Sequence, residues 1–342
     1  MIGELATPAA RNPARRMTYS GLALGLALLT ALLAYEGVGE VVRALAAAGG
    51  SGLLAVALFH LLPMFADAMG WRRLFAPTER PPFSTLLFAR WVSEAVNSLL
   101  PVMLVGGSVV RARMIARRGV PGPRAGATVV VDVTLLVMTQ LVFAAAGIGL
   151  LLAHLGGRAV APAAATGLAL MALGVAGFYL AQRLGVFAAA ARALARVRRS
   201  DHGSLVADAA ALDRAVAALH RDRRAILVGS AWHLTGWFLG VGEVWLALRV
   251  LGHPIDLVGA TMLESLGQSL RAAAFAVPGA LGVLEGGFLV LGSLLGIPPE
   301  TALALSLAKR VREITLGLPA LVAWQLDGRA SARVSGKVVT EG

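Results

Sequence analysis

Six apolar stretches, each about long enough to cross a lipid bilayer as a helix, limit what this chain can fold into. With 57% apolar and only 15% charged residues, the chain lacks the polar surface that a soluble fold of 342 residues needs. About 20 helical residues span the hydrocarbon core of a membrane. The sequence therefore predicts an all-α integral membrane protein with about six full transmembrane helices. The predicted spans are residues 18–35, 51–72, 125–153, 160–181, 226–250 and 301–326.

Two further apolar segments are interrupted by proline and glycine, and we predict each of them to be a broken helical hairpin. They cover residues 84–118 and 257–296. Proline removes a backbone donor and glycine weakens a helix, so a helix in a membrane breaks at such positions. Each arm of the first hairpin has roughly 16 to 17 residues, fewer than the ~20 of a full crossing. We therefore expect re-entrant hairpins. The predicted breaks are Pro101 in the first hairpin and Pro278, Gly279 and Gly282 in the second.

The distribution of lysine and arginine predicts the orientation of the chain. With a cytoplasmic N-terminus and two re-entrant hairpins, 22 of these residues lie inside, whereas only Arg43, Arg158 and Arg249 lie outside. Cytoplasmic loops of membrane proteins carry such an excess of positive charge, so both termini are predicted to be cytoplasmic. The same placement accounts for the net charge of +12 without a nucleic-acid partner. No basic stretch is interleaved with aromatic residues, as a base-stacking surface requires.

The order of span, span, hairpin and span occurs twice, which predicts an internal repeat. A shift of 177 residues places Pro101 on Pro278. Three full spans precede the second copy, so the copies have opposite orientations. Inverted repeats with paired broken helices are typical of alternating-access transporters whose site lies near the membrane midplane. The predicted parts are a cytoplasmic tail (1–17), a first repeat (18–153), a second repeat (154–326) with a cytoplasmic amphipathic insertion (183–224), and a cytoplasmic tail (327–342).

Charged side chains at membrane depth indicate where that site lies. The last span carries Lys309, Arg310, Arg312 and Glu313 near its middle. Each such charge costs about 2.5 to 3.5 kcal/mol on insertion scales, so these side chains must face one another, a wet cavity or a ligand. The glycines that start a hairpin arm expose backbone donors suited to an anion. The predicted substrate-binding residues are Glu94, Asn97, Gly106, Gly107, Arg111, Asp132, Glu264, Gln268, Arg271, Glu285, Lys309, Arg310, Arg312 and Glu313.

Structural alternatives remain open for these residues. The midplane charges can also be internal salt bridges that lock the helices together, and Arg90 can hold its hairpin to a neighbour. Asp132 and Gln140 are eight residues apart and can face the same cavity. We expect His60 and His233 to be interfacial or packing residues. Asp67 is expected near the inner interface, paired with Arg72 or Arg73.

Enzymatic and metal-binding motifs are absent from the sequence. There is no HExxH motif, no paired-aspartate motif of an octahedral metal site and no serine in a nucleophile elbow. We therefore predict no catalytic residue, no metal and no cofactor. The one enzymatic alternative is transfer of a lipid headgroup with Glu285 or Glu313 as the base.

Three segments resemble a known membrane family. SEAVNSLLPVMLVGGSVVRARM at 93–114, VPGALGVLEGG at 277–287 and LAKRVREI at 307–314 are similar to the flippase-like family named for the transmembrane domain of lysylphosphatidylglycerol synthase. RWVSEAVNSLLPV and RRGVPGPRAGATVVVD resemble its hopanoid biosynthesis-associated branch in particular. The resemblance implies translocation of an amphiphilic lipid, with a hopanoid, a hopanoid-linked lipid or an anionic lipid as candidates. No aminoacyl-transferase domain follows residue 326, so the synthase activity is not implied.

Together these observations predict a flippase-like lipid translocator of the inner membrane. Its expected partners are a membrane lipid as substrate and enzymes of lipid synthesis. Two other classes use the same features. One is a proton-coupled transporter of a small soluble anion, and the other is a non-transporting scaffold for lipid-synthesis enzymes. The sequence does not specify an oligomeric state.

Overall fold

Helices account for almost all of the residues that the structure describes. This computed structural model describes residues 38–100, 106–154, 161–198, 203–274 and 277–340, and four single positions before residue 38. Over this part of the chain there is no β-strand. Its twelve α-helices are α1 (Val38–Phe59), α2 (Leu61–Arg72), α3 (Phe83–Leu99), α4 (Gly106–Ala116), α5 (Gly122–His154), α6 (Ala161–Arg183), α7 (Val186–Arg198), α8 (Gly203–Arg221), α9 (Arg223–Val250), α10 (Leu257–Ala273), α11 (Val283–Leu294) and α12 (Pro299–Thr340).

Four helical segments are long and apolar enough to cross a membrane. They are Val41–Arg72, Gly122–His154, Ala165–Arg183 and Arg223–Val250, and they coincide with four of the six predicted spans. The predicted span 301–326 lies within α12, which carries four charged residues between 309 and 313. The predicted tail 1–17 and nearly all of the predicted span 18–35 lie outside the described residues.

The first described span is interrupted at two positions. Gly49 has φ 63° and ψ 168°, a left-handed conformation that favours glycine, and it kinks α1. A turn at His60 then separates α1 from α2. His60 itself keeps helical backbone angles, and its side chain lies between neighbouring helices.

Helices α2 and α9 pack closely through glycines. A Cβ atom at Gly70 would lie 3.1 Å from the carbonyl oxygen of Gly229, and one at Gly236 would lie 3.1 Å from a carboxylate oxygen of Asp67. Small residues at helix interfaces in membranes let backbones approach, which favours van der Waals contact and interhelical hydrogen bonds. The start of α9 is fixed by Asp222, whose carboxylate accepts a 3.0 Å hydrogen bond from the Ala225 N–H.

The first predicted hairpin is a pair of closely packed short helices. Helix α3 ends at Leu99, and Leu100 has an extended backbone; Pro101 itself lies outside the described residues. Helix α4 begins at Gly106. The Gly107 N–H donates a 2.8 Å hydrogen bond to Asn97 Oδ1, and a Cβ atom at Gly107 would overlap the Ser93 carbonyl oxygen. The two arms therefore contact each other where only glycine fits.

The second predicted hairpin breaks at the predicted residues. After α10, a 3₁₀ turn covers Pro278–Ala280, with φ 61° at Gly279, and Gly282 has φ 75° just before α11. These left-handed conformations explain the two glycines. A Cβ atom at Gly279 would lie 3.6 Å from the carbonyl oxygen of Ser98, near the end of α3. The break of the second hairpin thus lies beside the end of the first arm of the first hairpin.

The predicted amphipathic insertion contains α7 and α8, and the apolar face of α8 packs on protein. Val216 is buried, and Leu212 and Leu219 pack against the same core as the end of α2, helix α3 and helix α5. A Cβ atom at Gly126 of α5 would lie 3.2 Å from Leu212. This face of α8 therefore covers α5 rather than a lipid surface.

The contact between α5 and α10 provides a test of the helix packing. A Cβ atom at Gly147 would overlap the Ser265 side chain, whereas one at Gly149, on the same helix, would have no neighbour within 4 Å. We expect Gly147→Ala to lower the free energy of unfolding by about 1–3 kcal/mol, as overpacking does, and Gly149→Ala to leave it unchanged or raise it slightly. Thermal unfolding in detergent measures both changes. Equal stabilities would contradict this packing.

Candidate functional site

A cavity of about 530 Å³ opens among the helices that carry the midplane charges. Its residues come from the turn at His60 and from α2, α3, α4, α5, α6, α9, α10 and α12. Helices of both predicted repeats thus contribute to one space. Most of its lining residues are polar, but Pro63, Val133, Leu136, Val137 and Met171 line it with apolar side chains. The polar lining residues include His60, Asp67, Arg90, Glu94, Asn97, Arg111, Gln140, Glu243, Glu264, Gln268, Arg271, Arg312 and Glu313.

One part of the wall is organised around Asp132, a fully buried side chain on α5. Its carboxylate oxygens lie 2.6 Å from Arg111 Nη1 and 3.1 Å from His233 Nε2. The guanidinium of Arg111 also lies over the ring of Trp71, 4.5 Å from its centroid. Arg111 is only 1% exposed, so its charge is balanced by Asp132 and the ring rather than by water.

Asp67 on α2 belongs to the same group. It accepts a hydrogen bond from Arg90 of α3, and its other oxygen lies 2.8 Å from His233 Nδ1. Arg90 Nη1 lies 3.8 Å from Asp132 as well. We name Asp67, Arg90, Arg111, Asp132 and His233 the aspartate group. It joins α2, α3, α4, α5 and α9.

A second group is organised around His60. Its Nε2 lies 2.6 Å from Glu94 of α3, and its Nδ1 lies 2.6 Å from Glu243 of α9. Arg312 of α12 donates to Glu243 over 2.5 Å, and its Nη1 lies 2.8 Å from His60 Nδ1. We name His60, Glu94, Glu243 and Arg312 the histidine–glutamate group. It connects α12 to the first described span.

Two further carboxylates hold α10 and α12 together. Glu264 accepts hydrogen bonds from Lys309 Nζ over 2.6 Å and from Gln268 over 2.8 Å. Gln140 of α5 donates to the Gln268 carbonyl oxygen over 2.9 Å. Arg271 forms a 2.6 Å ion pair with Glu313.

Arg310 and Glu285 form one of the longer contacts of the network. Arg310 lies 3.3 Å from Glu285 and 3.2 Å from Glu313. Glu285 is fully buried on α11; one of its oxygens accepts from Ser306 over 3.3 Å, and the other has no hydrogen-bond partner in the described chain. This pair therefore contributes less than the shorter ones, because hydrogen bonds weaken with distance.

The two histidines are related in a reciprocal way. His60, at the start of α2, contacts Glu243 of α9, while His233 of α9 contacts Asp67 of α2. Each of the two helical segments thus contributes one imidazole and one carboxylate to this pair of contacts. Each imidazole also touches a second carboxylate through its other nitrogen. A neutral imidazole has a single N–H, so two carboxylate contacts on one ring require an additional proton on the ring or on a carboxyl group.

The charges of this network nearly cancel. The paired side chains described above include seven carboxylates and six lysine or arginine side chains. With the additional proton that each histidine requires, the sum stays within one unit of neutrality. Unpaired charges at membrane depth are expensive, so a network close to neutrality is the physically expected arrangement.

The structure brings most of the predicted site residues to the cavity. Eight of the fourteen line it, namely Glu94, Asn97, Arg111, Glu264, Gln268, Arg271, Arg312 and Glu313. Four further side chains do not line the cavity and form ion pairs with other residues of the chain, namely Asp132, Glu285, Lys309 and Arg310. The structural alternative, in which these charges pair with one another, therefore describes the contacts within the chain correctly.

The glycines at the start of α4 are placed less favourably for an anion than predicted. Gly106 does begin the helix, but the N–H of Gly107 is already bonded to Asn97. Gly107 is buried, and the following Ser108 is the residue of this turn that lines the cavity. Asn97 thus caps the helix start from within the hairpin.

Sequence reasoning missed part of the site. The expectation that His60 and His233 are only interfacial or packing residues was wrong, since each bridges two carboxylates. Asp67 pairs with Arg90 and His233, and not with Arg72 or Arg73 as predicted. Glu243, which was not singled out, lines the cavity. The sequence alone could have indicated Glu243, because an ionisable residue inside an apolar span is a candidate functional residue by default.

In the described part of the chain, no group of histidine or carboxylate side chains is arranged to hold a metal ion.

Four apolar spans and a charged cavity among them define a multi-pass integral membrane protein. The sequence model of the lysylphosphatidylglycerol synthase transmembrane region matches residues 20–322. The chain belongs to this family, which is related to lipid metabolism. The family takes its name from a synthase, but the matched region is the transmembrane one. No curated protein matches the sequence.

Proposed function

We propose that this protein is a lipid translocator of the bacterial-type inner membrane that works by alternating access around the charged cavity. The observation that carries the proposal is the two-sided lining of that cavity. Carboxylates, guanidiniums and amides face the space from α3, α10 and α12, while Val133, Leu136, Val137 and Met171 face it from α5 and α6. An amphiphile has a polar headgroup and an apolar body, and this lining matches both parts.

The family supports a lipid as the cargo in preference to a small soluble solute. A binding site for a small anion needs few apolar contacts, whereas an apolar strip of four side chains suits a ring system or an acyl chain. The resemblance to the hopanoid-associated branch makes a hopanoid or a hopanoid-linked lipid the leading candidate, with an anionic lipid as the second. In this proposal the protein moves its substrate without changing it chemically.

Two contacts support the inverted repeat on which alternating access depends. The break of the second hairpin lies beside the end of α3, so the two hairpins approach each other. The reciprocal contacts of His60 with Glu243 and of His233 with Asp67 relate α2 and α9, which are the corresponding spans of the two predicted repeats. We propose that a full set of six spans and two re-entrant hairpins, with both termini in the cytoplasm, completes this arrangement.

Transport of a labelled lipid tests the proposal. The purified protein is reconstituted into vesicles, and the movement of a fluorescent anionic phospholipid between leaflets is followed by dithionite quenching. We expect Arg271→Gln and Glu94→Gln to lower the rate at least tenfold, because both side chains line the cavity and keep 23% and 31% exposure for a headgroup to contact. Arg249→Gln is the matched control, since it removes a charge above Trp245 outside the cavity. Equal rates in all variants and in protein-free vesicles would contradict lipid translocation.

A proton-coupled transporter of a small soluble anion is the second candidate. The additional proton required by an imidazole between two carboxylates favours it, because such a proton can be exchanged with the cargo. The same vesicles distinguish the two candidates. A pH gradient that drives uptake of a soluble anion while the lipid stays in its leaflet would favour the second. A purely structural scaffold needs no cavity beside its paired charges. Because a cavity is present, the paired charges do not favour that alternative.

A further inference from the structure

A second cavity lies away from the charged cavity and shares no lining residue with it. It has a volume of about 510 Å³ and is formed by the end of α2, the loop through Pro77–Glu79, and the junction of α8 with α9. Four arginines line it: Arg73, Arg80, Arg124 and Arg224. We name it the arginine pocket.

The positive charge of the arginine pocket is not balanced by the described part of the chain. Asp222 is the one acidic residue in its lining, and that carboxylate already accepts a hydrogen bond from the Ala225 N–H. Among the described residues, Glu79 pairs with Arg124 over 2.9 Å, while Arg73 and Arg224 have no carboxylate partner. This contrasts with the charged cavity, whose cations are all paired.

Arg80 adds an unsatisfied donor. Its Nη2 donates to the carbonyl oxygen of Phe75 over 3.2 Å, which holds the side chain in place at the pocket. Its Nε is buried and has no acceptor within the described chain. A buried donor without an acceptor costs free energy, so Arg80 is held at the pocket at some cost to the fold.

The location of the pocket indicates what can reach it. The end of α2 and the start of α9 meet there, and these are the arginine-rich ends of two spans. Such ends face the cytoplasm in most membrane proteins. A ligand at this level contacts both water and the headgroups of the inner leaflet.

We infer that the arginine pocket binds a phosphate-bearing anion at the cytoplasmic membrane surface. Guanidinium groups form charge-assisted, often bidentate hydrogen bonds with phosphate oxygens, and basic pockets at helix ends on this side of a membrane suit anionic headgroups. The phosphate can belong to a phospholipid headgroup or to a soluble phosphate. The inference is independent of transport, because it concerns a different cavity.

Ligand-dependent thermal stability of the full chain tests this inference. The purified protein in neutral detergent is unfolded with phosphatidylglycerol, with phosphatidylcholine at the same mole fraction, or with inorganic phosphate. A ligand that binds only the folded state raises the Tm. We expect phosphatidylglycerol to raise the Tm by several degrees more than phosphatidylcholine. A shift with inorganic phosphate alone would identify a soluble phosphate as sufficient. Equal shifts with both lipids and none with inorganic phosphate would overturn the inference.

Paired variants assign the shift to the pocket. Arg73→Gln combined with Arg224→Gln removes two exposed arginines of the pocket and is expected to abolish most of the shift. Arg183→Gln combined with Arg192→Gln removes the same charge from exposed positions on α6 and α7 and should keep it. A shift that survives in the pocket variant, or that is lost equally in the control, would overturn the assignment.

Discussion

Asp132→Asn is expected to lower the free energy of unfolding by about 3–5 kcal/mol, the largest stability effect among the single substitutions considered. Removing one partner of a buried ion pair leaves the other charge uncompensated, and this costs more than the pair itself contributes. The Asp132 carboxylate is fully buried and contacts Arg111, His233 and Arg90. Its loss leaves the buried guanidinium of Arg111 without its ion-pair partner, over the ring of Trp71.

A double variant separates the charge effect from the loss of packing. Combining Asp132→Asn with Arg111→Gln removes both charges, and we expect it to recover at least half of the lost stability. Glu79→Gln serves as the control, because its pair with Arg124 is largely exposed and such pairs contribute about 0–1 kcal/mol. Unfolding in detergent, followed by tryptophan fluorescence, measures all four proteins. A single variant as stable as the unsubstituted protein would show that Asp132 does not balance Arg111.

Arg312→Gln is expected to have the largest effect on transport and to bring lipid movement to the background of protein-free vesicles. Arg312 lines the cavity, and it is the contact of α12 with both His60 and Glu243. Its removal changes the charge that faces the proposed cargo and breaks the connection between α12 and the first described span. Arg310→Gln is the matched control two residues away, since Arg310 does not line the cavity and its ion pairs are 3.2 Å and 3.3 Å long. We expect less than a threefold change in that control.

Combining Arg312→Gln with Glu243→Gln distinguishes cargo binding from helix locking. The double variant removes both charges of the 2.5 Å pair, so folding should recover. If Arg312 contacts the cargo, transport stays at background in the folded double variant. Recovery of transport together with folding would show that this pair serves only to hold the helices, and would shift the cargo site toward Arg271 and Glu94.

The spans and the breaks of this fold could be predicted from the sequence. The length of their apolar runs identifies Gly122–His154 and Arg223–Val250 directly as helices. Inside a membrane, a single apolar segment can satisfy its backbone hydrogen bonds only by forming a helix. The break at Pro278 and Gly279 follows from the backbone preferences of those two residues, and the structure has a 3₁₀ turn and a left-handed glycine there. These features depend on local chemistry, which a single sequence contains. The inverted arrangement and the number of spans stay predictions.

The partners of the site residues could not be predicted. Spacing shows that Glu264 and Gln268 share a face, and they do bond to each other over 2.8 Å. It does not show that Lys309 is the cation opposite Glu264. The two residues are 45 positions apart in the sequence, and their contact depends on how α10 packs against α12. The spacing led to a prediction that Asp67 pairs with Arg72 or Arg73 for the same reason. Those arginines are its neighbours in the sequence, whereas its partner Arg90 lies on another helix. Contacts between helices are thus the part of the site that needed coordinates.

The reciprocal contacts between α2 and α9 have a mechanical consequence. One tie joins His60 to Glu243 and the other joins Asp67 to His233, so the ties are seven residues apart on α2 and ten on α9. At about 1.5 Å per helical residue, they are separated by roughly 10 to 15 Å along the pair. Two ties at that separation resist both sliding and rotation of one helix against the other, so we expect α2 and α9 to move together as one rigid unit. In the proposed alternating-access cycle, the hairpins, with their glycine breaks, are then the parts that we expect to move.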